Sequence, residues 1–503
     1  MSDSSGRVKH RLSKSRFVTG LKCHKCLWWQ THEPDAPELE PDAATLDKFE
    51  QGRQVGDLAR TYVPGGELID LPHYAVRDRV AATNDALKRG LPAIYEASFL
   101  ADDVFVLVDV LEKASRGHNL IEVKSTNSAK EHHVPDAATQ AHVLRKLGLD
   151  VRRVEIMHLN RECRHPDLSN LFVRTDVTRE VEATLPDLPR EIRAQLAMLK
   201  GPLPDVAIGD HCNEPYECPF LGRCWPDFPR HHVRTLYGIG KKLAQYEEAG
   251  YTTIHDIPKT ARLSKIQERQ RKAVLRNRLI VEPGLREALG RPEPPMAFLD
   301  FETVSRAIPC WPGCAPWEAV PAQFSCHVEA GDGTITHHEW LAEGPGDPRP
   351  AVAEHLIAAC EGASMIWAYS AGFERRCITR MAGALPALSK PLRDIEARLA
   401  DLAAVVRDRV YHPDFNGSFS LKSVLPALVP ELGYEDLEIT EGTDASLQLA
   451  RLMFKAGEIS SAERERVRRE LLEYCGRDTW ALVRLVGELK RLAQSQGRGI
   501  DSG

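Results

Sequence analysis

Apolar positions along this chain recur with two periods, and the period sorts its segments. IYEASFLADDVFVLVDVLEK (residues 94–113) carries apolar, β-prone runs on both sides of Ala101, Asp102 and Asp103, which predicts two strands around a turn. The polar SRGHN leads to a third strand, LIEVK (120–124); a helical run over 135–148 and the apolar strand VRRVEIMHL (151–159) follow. Further on, VRTLYGIGKKLAQYEEAGYTTIHDI (233–257) reads as a helix, a tight turn at Gly238-Ile239-Gly240 and a second helix ended by Gly250. FLDFE (298–302) predicts a buried strand, and ASMIWAYSAGFERR (363–376) a strand, turn and helix. RRELLEYCGRDTWALVRLVGELKRL (468–492) predicts a long amphipathic helix.

The length of 503 residues exceeds the roughly 250–300 at which single cores stop growing, so several domains are expected. Rigid polar stretches at GRPEPP (290–295) and WPDFPRHH (225–232) suggest three units: 1–228, 229–290 and 291–503. A hydrophobic content of 43% and a charged content of 27% are ordinary for a globular α/β protein and exclude a largely disordered chain. No run approaches the ~20 apolar residues of a membrane span, and residues 1–16 hold no apolar leader core. A cytoplasmic protein with no membrane partner is expected. The net charge of −6 excludes a generic polyanion binder. It is uneven: residues 291–503 hold 23 Lys/Arg against 31 Asp/Glu, whereas residues 259–278 hold eight basic residues and one acidic. Nucleic-acid contact must come from local patches.

In the first unit, Glu122 and Lys124 are two apart and share a strand face, and Asp109 ends the apolar run VFVLV, where a charge is costly unless paired or metal-bound. Two carboxylates suit Mg²⁺ or Mn²⁺, a nearby lysine can orient or activate water, and Gln140 on the next helix can position Lys124 or the substrate backbone. Of the twelve cysteines, Cys212, Cys218 and Cys224 stand at equal spacings of six, a poor fit to the paired C-x2-4-C of zinc sites. With one distant thiol, Cys23 or its competitor Cys26, they would suit a four-thiolate cubane cluster. In the middle unit, Gly238, Gly240, Lys241 and Lys242 can face a phosphate backbone. In the third, Asp300 and Glu302 share a strand face, Glu374 stands near a helix start, and Tyr474 and Asp478 are four apart on one helix face. Four acids and a tyrosine suit a two-metal hydrolytic centre.

SKSRFVTGLKCHKCLWW, the series Asp109, Glu122-x-Lys124, Gln140 and the late cysteine triplet together resemble the RecB-like PD-(D/E)XK nucleases with an iron–sulphur cluster, of the CRISPR-associated and AddB type. The resemblance covers most of 10–228. It implies a restriction-endonuclease-like fold, a [4Fe–4S] cluster stapling the domain ends, Asp109 and Glu122 as metal ligands and Lys124 as catalytic lysine. Many such nucleases carry a histidine in an early G-x-x-x-H helix; Gly56 stands there in this chain, with Glu96 as a substitute ligand. The middle segment looks like a helix–hairpin–helix module. The order D-x-E, middle acid, Y-x3-D over most of 295–495 resembles the DEDDy exonucleases of RNase H-like fold, although that family usually has aspartate where Glu374 stands. Asp401 is the rival for that position, and FNGSFSLKSVLPAL with Lys422 resembles the segment lining the family's cleft. The resemblances imply a metal-dependent DNA nuclease with two centres, acting in repair, recombination or defence. The alternative is a nucleic-acid-binding scaffold with one or both centres degenerate, or an RNA-directed exonuclease.

Overall fold

In the computed structural model, which describes residues 11–498, the alternating segments of the first half build a seven-stranded mixed sheet. The reading of residues 1–10 as free of a leader lies outside these residues. The strands are β1 (Leu12–Ser13), β2 (Gly66–Leu68), β3 (Ala93–Ala101), β4 (Val104–Lys113), β5 (His118–Lys124), β6 (Val151–Leu159) and β7 (Phe172–Asp176). They run in the order β2-β3-β4-β5-β6-β7, with β1 parallel against β4. The helices of this half are α1 (Lys14–Lys22), α2 (His24–His32), α3 (Ala43–Thr61), α4 (Val76–Arg89), α5 (Val134–Lys146), α6 (Thr178–Thr184), α7 (Leu188–Met198) and the short α8 (Leu221–Cys224).

One core packs Phe17, Ala141 and Ile192 with Phe99, Val106, Val108 and Ile156. A second packs Ala59 and Val63 with Tyr95, Val110 and Met157. The strand period of two breaks at one place. Val108 and Val110 should share a face, yet they belong to different cores. The β3–β4 ladder skips the pair Glu96 and Asp109 between them, and Glu96 adopts φ 55°, left-handed for a non-glycine residue. Asp109 therefore sits at a break in the sheet, where strained backbone is tolerated only because its surroundings hold it.

The second half contains β8 (Ile280–Val281), β9 (Met296–Ser305), β10 (Ala319–Glu329), β11 (Ile335–Leu341), β12 (Met365–Ala368), β13 (Leu399–Asp401) and β14 (Val410–Tyr411). Its main sheet runs β11-β10-β9-β12-β13; β10 is antiparallel to both neighbours, and β9, β12 and β13 are parallel. The helices are α9 (Lys242–Glu248), α10 (Lys265–Arg276), α11 (Leu285–Leu289), α12 (Arg349–Ala359), α13 (Gly372–Ala384), α14 (Ser389–Ala397), α15 (Leu402–Arg409), α16 (Leu421–Leu428), α17 (Gly442–Phe454) and α18 (Ser461–Arg498). Alternation on β9 sends Leu299 and Phe301 into a core with Phe324, Leu356 and Ile378. Asp300 and Glu302 take the opposite face, toward α18, where Cys475 Sγ lies 3.7 Å from Asp300 Oδ2. No helix among the described residues is long and apolar enough to cross a membrane.

The chain divides into two compact units rather than three: residues 1–226 with 306–318, and residues 227–305 with 319–503. The middle segment belongs to the second unit because β8 pairs with β14 and the Arg269 guanidinium, buried on α10, donates to the Arg407 carbonyl. The basic run is thus only partly a solvated face; Arg269 and Arg271 are buried and serve packing. The helix read at its start is a single 3₁₀ turn, Val233–Thr235. His232 is bridged to Thr253 and Leu236 is already extended, so no room is left for more.

Residues 306–318 leave the second unit's hairpin and complete the first unit's core. Ala307, Ile308 and Trp317 pack with Val55, Leu159 and Leu171. The Ala307 amide donates to Gln51 Oε1 at 2.8 Å, and the Trp317 indole donates to the Ser125 carbonyl, one residue beyond Lys124. Trp317→Ala removes both a large apolar contact and that bond, so it should lower unfolding free energy by roughly 2–4 kcal/mol. Denaturant titration should show a reduced midpoint at unchanged slope.

Candidate functional site

The second unit gathers its acids by three independent routes. Strand alternation presents Asp300 and Glu302 on one face, the four-residue spacing on α18 presents Tyr474 and Asp478 together, and α13 brings Glu374 inward. Asp300, Glu302 and Asp478 offer carboxylate oxygens that all lie within 4.8 Å of one another. Among the described residues, no other set of three metal-ligating side chains comes as close. Burial and mutual repulsion push Asp300 well above the usual carboxylate range; burial and the charge of Asp478 do the same to Glu302. Asp478 is pushed up to about 6 by burial, against hydrogen bonds from Tyr434 and Tyr474 that favour its charge. Lys422 Nζ stands 5.7 Å from both tyrosine rings and bonds Glu441 at 2.8 Å.

Glu374 and Asp401 can now be compared. Asp401 caps α15, accepting from the Ala404 and Ser370 amides at 3.2 Å each. Glu374 is 3% exposed, its Oε2 has no hydrogen-bond partner, and its charge acts on Asp300. Burial holds it at about 7. A buried carboxylate oxygen without a donor suits a cation. Of the two, Glu374 is the one whose charge acts on Asp300, while Asp401 is engaged in capping α15. Tyr434, whose hydroxyl donates to Asp478, was not singled out by sequence. It lies 44 residues away in a loop, with no periodic pattern to mark it.

In the first unit the lysines and acids interlock. Glu122 is almost fully buried and accepts from Lys14 Nζ at 2.7 Å, Lys124 Nζ at 2.8 Å and Gln140 Nε2 at 2.6 Å. Lys124 also reaches Asp136 at 2.6 Å. Despite burial, the two ammonium groups hold Glu122 below the ordinary range, and the surrounding carboxylates hold both lysines above theirs. Asp109 accepts from the Val123 amide at 2.6 Å and is pushed up to about 7 by burial and by Glu122. It opens onto a cavity of about 160 Å³ lined also by Glu96, Gly52 and Gly56. A Cβ at Gly56 would meet nothing within 4 Å, so that position is open space rather than a packing requirement. Glu96 lies within 3.9 Å of Arg60 and Arg79. Sequence reading missed Lys14 and Asp136. Asp136 shares a helix face with Gln140 four residues on, a sign that was available.

Cys23, Cys26, Cys212, Cys218 and Cys224 line one small cavity of about 20 Å³, walled by Trp29, Phe220 and Leu221. The Cys26 and Cys218 thiols are hydrogen-bonded, which favours thiolate on Cys218 and keeps Cys26 protonated. Both candidates for the early thiol therefore reach the cavity. The loop that carries them is anchored elsewhere: Lys22 donates to the Tyr216 carbonyl, and the Tyr216 hydroxyl lies 3.0 Å from His132 Nε2.

Gly238 and Gly240 take φ 62° and 46°, and with Lys241 and Lys242 they are exposed at a turn. The turn is held by Tyr237, whose amide donates to Gln270 Oε1 at 2.8 Å and whose carbonyl accepts from Gln267 Nε2 at 2.9 Å.

Residues 297–420 match a family described as a domain of unknown function, DUF2779. Comparison with curated proteins gives no match.

The raised carboxylates predict a pH-dependent response to metal. Their contribution to stability is complete below the ordinary carboxylate range and is lost as pH rises through about 6 for Asp478 and about 7 for Glu374 and Asp109. Glu122 has the opposite sign, but its contribution fades only under strongly acid conditions. Buried histidines such as His133 and His327, held down to about 4, lose stability as pH falls. They cancel when the same pH is compared with and without metal. Saturating Mn²⁺ should therefore raise the melting temperature more at pH 8 than at pH 5, and Asp300→Asn should remove most of the difference.

Proposed function

We propose that the protein is a metal-dependent nuclease that hydrolyses phosphodiester bonds of DNA, with an exonuclease-like centre in its second unit and a RecB-like centre in its first. The observation that carries this reading is the convergence of Asp300, Glu302 and Asp478 within 4.8 Å, beside the unpartnered Glu374 oxygen. Like charges are not kept this close in an apolar setting without compensation. The order β11-β10-β9-β12-β13, with an antiparallel meander continued by parallel strands, also supports an RNase H-like fold.

Bound Mg²⁺ or Mn²⁺ would supply neutralisation of the carboxylates and polarisation of the scissile phosphate. The trio, with Glu374, would hold it. Tyr474 is kept protonated by burial and by the surrounding carboxylates, so its hydroxyl can hold a water by hydrogen bonding but is no general base. Lys422 supplies a cation beside the acids, suited to a phosphate oxygen. In the first unit Asp109 and Glu122 would hold the ion. Lys124 is kept charged there, so its part is electrostatic, while Gln140 and Asp136 fix its position.

Cys212, Cys218 and Cys224 with Cys23 or Cys26 would hold a [4Fe–4S] cluster. Their shared apolar-walled cavity supports this, and the group would tie α1, which carries Lys14, to residues 210–224. A weaker reading of the first unit is favoured by two features. Glu122 is already neutralised by two ammonium groups, and Gly56 offers no ligand. In it the first unit holds nucleic acid and the second cuts.

Cleavage of end-labelled DNA in Mg²⁺ tests both. Asp300→Asn or Asp478→Asn should lower one class of products by a hundredfold or more, and Tyr474→Phe by about tenfold to a hundredfold. Asp109→Asn should remove a separate class if the first centre cuts. Unchanged products in all of these variants would end the nuclease reading. Anaerobically purified protein should be brown and contain iron, and Cys218→Ala should bleach it; stoichiometric zinc without iron would end the cluster assignment.

A further inference from the structure

An open cavity of about 550 Å³, lined by none of the candidate metal ligands, is formed by β10, β11 and α18. That volume is within the range of small-molecule sites. Its floor is a pair of imidazoles. His327 and His337 stack with ring centroids 4.2 Å apart and planes only 9° apart, and Trp480 packs 5.4 Å from His327. The pair is held from inside the protein. His327 Nδ1 lies 2.8 Å from Thr479 Oγ1, His337 Nε2 lies 2.8 Å from Ser325 Oγ, and the two buried hydroxyls are 2.7 Å apart. His327 is buried, whereas His337 is exposed at the cavity.

The geometry narrows what can bind. Imidazole lone pairs lie in the ring plane, so two nearly parallel rings cannot converge on one ion at the roughly 2.0–2.1 Å a transition metal needs. Burial holds both rings below the ordinary imidazole range, which leaves them uncharged at neutral pH and poor partners for a bare anion. What they offer is a flat π surface. The rim mixes guanidinium donors, Arg469 and Arg477, with carboxylate acceptors, Glu339 and Glu473, and part of each donor is already engaged: Arg477 bonds Asp436 at 2.8 Å, and Arg469 stands 4.0 Å from Glu473. Gly476 adds no side chain beside the floor, and a Cβ there would make only ordinary contact with the His337 ring, at 3.5 Å. A neutral aromatic floor with both donors and acceptors around it matches a heteroaromatic base, which has a π face and an edge of alternating polar groups.

We propose that this cavity binds a nucleobase stacked on His337, delivered either by a free nucleotide or by an unpaired base of a single strand. The proposal stands apart from the nuclease reading, because binding is measured without metal and without cleavage. Fluorescence quenching of 2-aminopurine monophosphate, and of a short oligothymidylate carrying one 2-aminopurine, is titrated with the full-length protein in EDTA. Saturable quenching is expected for one or both probes, and which of them binds identifies the source of the base. His337→Ala should weaken it by about fivefold or more, the loss expected for one stacked base, and His337→Phe, which keeps a ring, should retain it. Inorganic phosphate should not compete. No saturable quenching by wild type, equal quenching by His337→Ala, failure of His337→Phe to bind, or competition by phosphate would each overturn the assignment.

Discussion

The second unit is organised around an electrostatic conflict. Three carboxylates within 4.8 Å, and a fourth buried nearby, are forced together in surroundings that disfavour charge. Two charges 4 Å apart repel by about 4 kcal/mol at the effective dielectric of a protein surface, and by more when water is excluded. Such a cluster persists because strand β9 and helix α18 are fixed by packing that has nothing to do with the acids. Leu299 and Phe301 anchor the strand from its other face, and Gln323 Nε2 donates to the Leu471 carbonyl at 2.7 Å to join the sheet to the helix. The acids are carried into place by apolar neighbours.

The first unit resolves a similar conflict by a different means. Its buried Glu122 is matched by Lys14, Lys124 and Gln140, while Asp109, at the break in the sheet, and Asp136 are left raised. One centre is balanced from within the chain; the other is not. Both depend on elements brought from far along the chain, as when residues 306–318 fill the core beside Ser125.

Much of this was legible from local pattern. Period two in FLDFE placed Asp300 and Glu302 on one face, spacing four placed Tyr474 with Asp478, and the polar SRGHN loop brought Asp109 beside β5. What local pattern could not give were partners distant in sequence. Lys14 lies 108 residues from Glu122, and Trp317 lies 192 residues from Ser125. The choice between Glu374 and Asp401 also depends on tertiary placement, because it is the charge of Glu374 that acts on Asp300. The extra unit read at 229–290 failed for a related reason. The charges of Arg269 and Arg271 suggested a solvated face, whereas their packing is tertiary.

The central claim is that the unbalanced acids of the second unit exist to hold a divalent cation. Electron paramagnetic resonance of Mn²⁺ added to metal-free protein at pH 8 counts bound ions directly. Asp300→Asn, Glu302→Gln and Asp478→Asn should each remove bound Mn²⁺ that Asp401→Asn leaves in place. If all four variants bind as many ions as the wild type, with the same affinity, the acids are not a metal site and the account built on them is wrong.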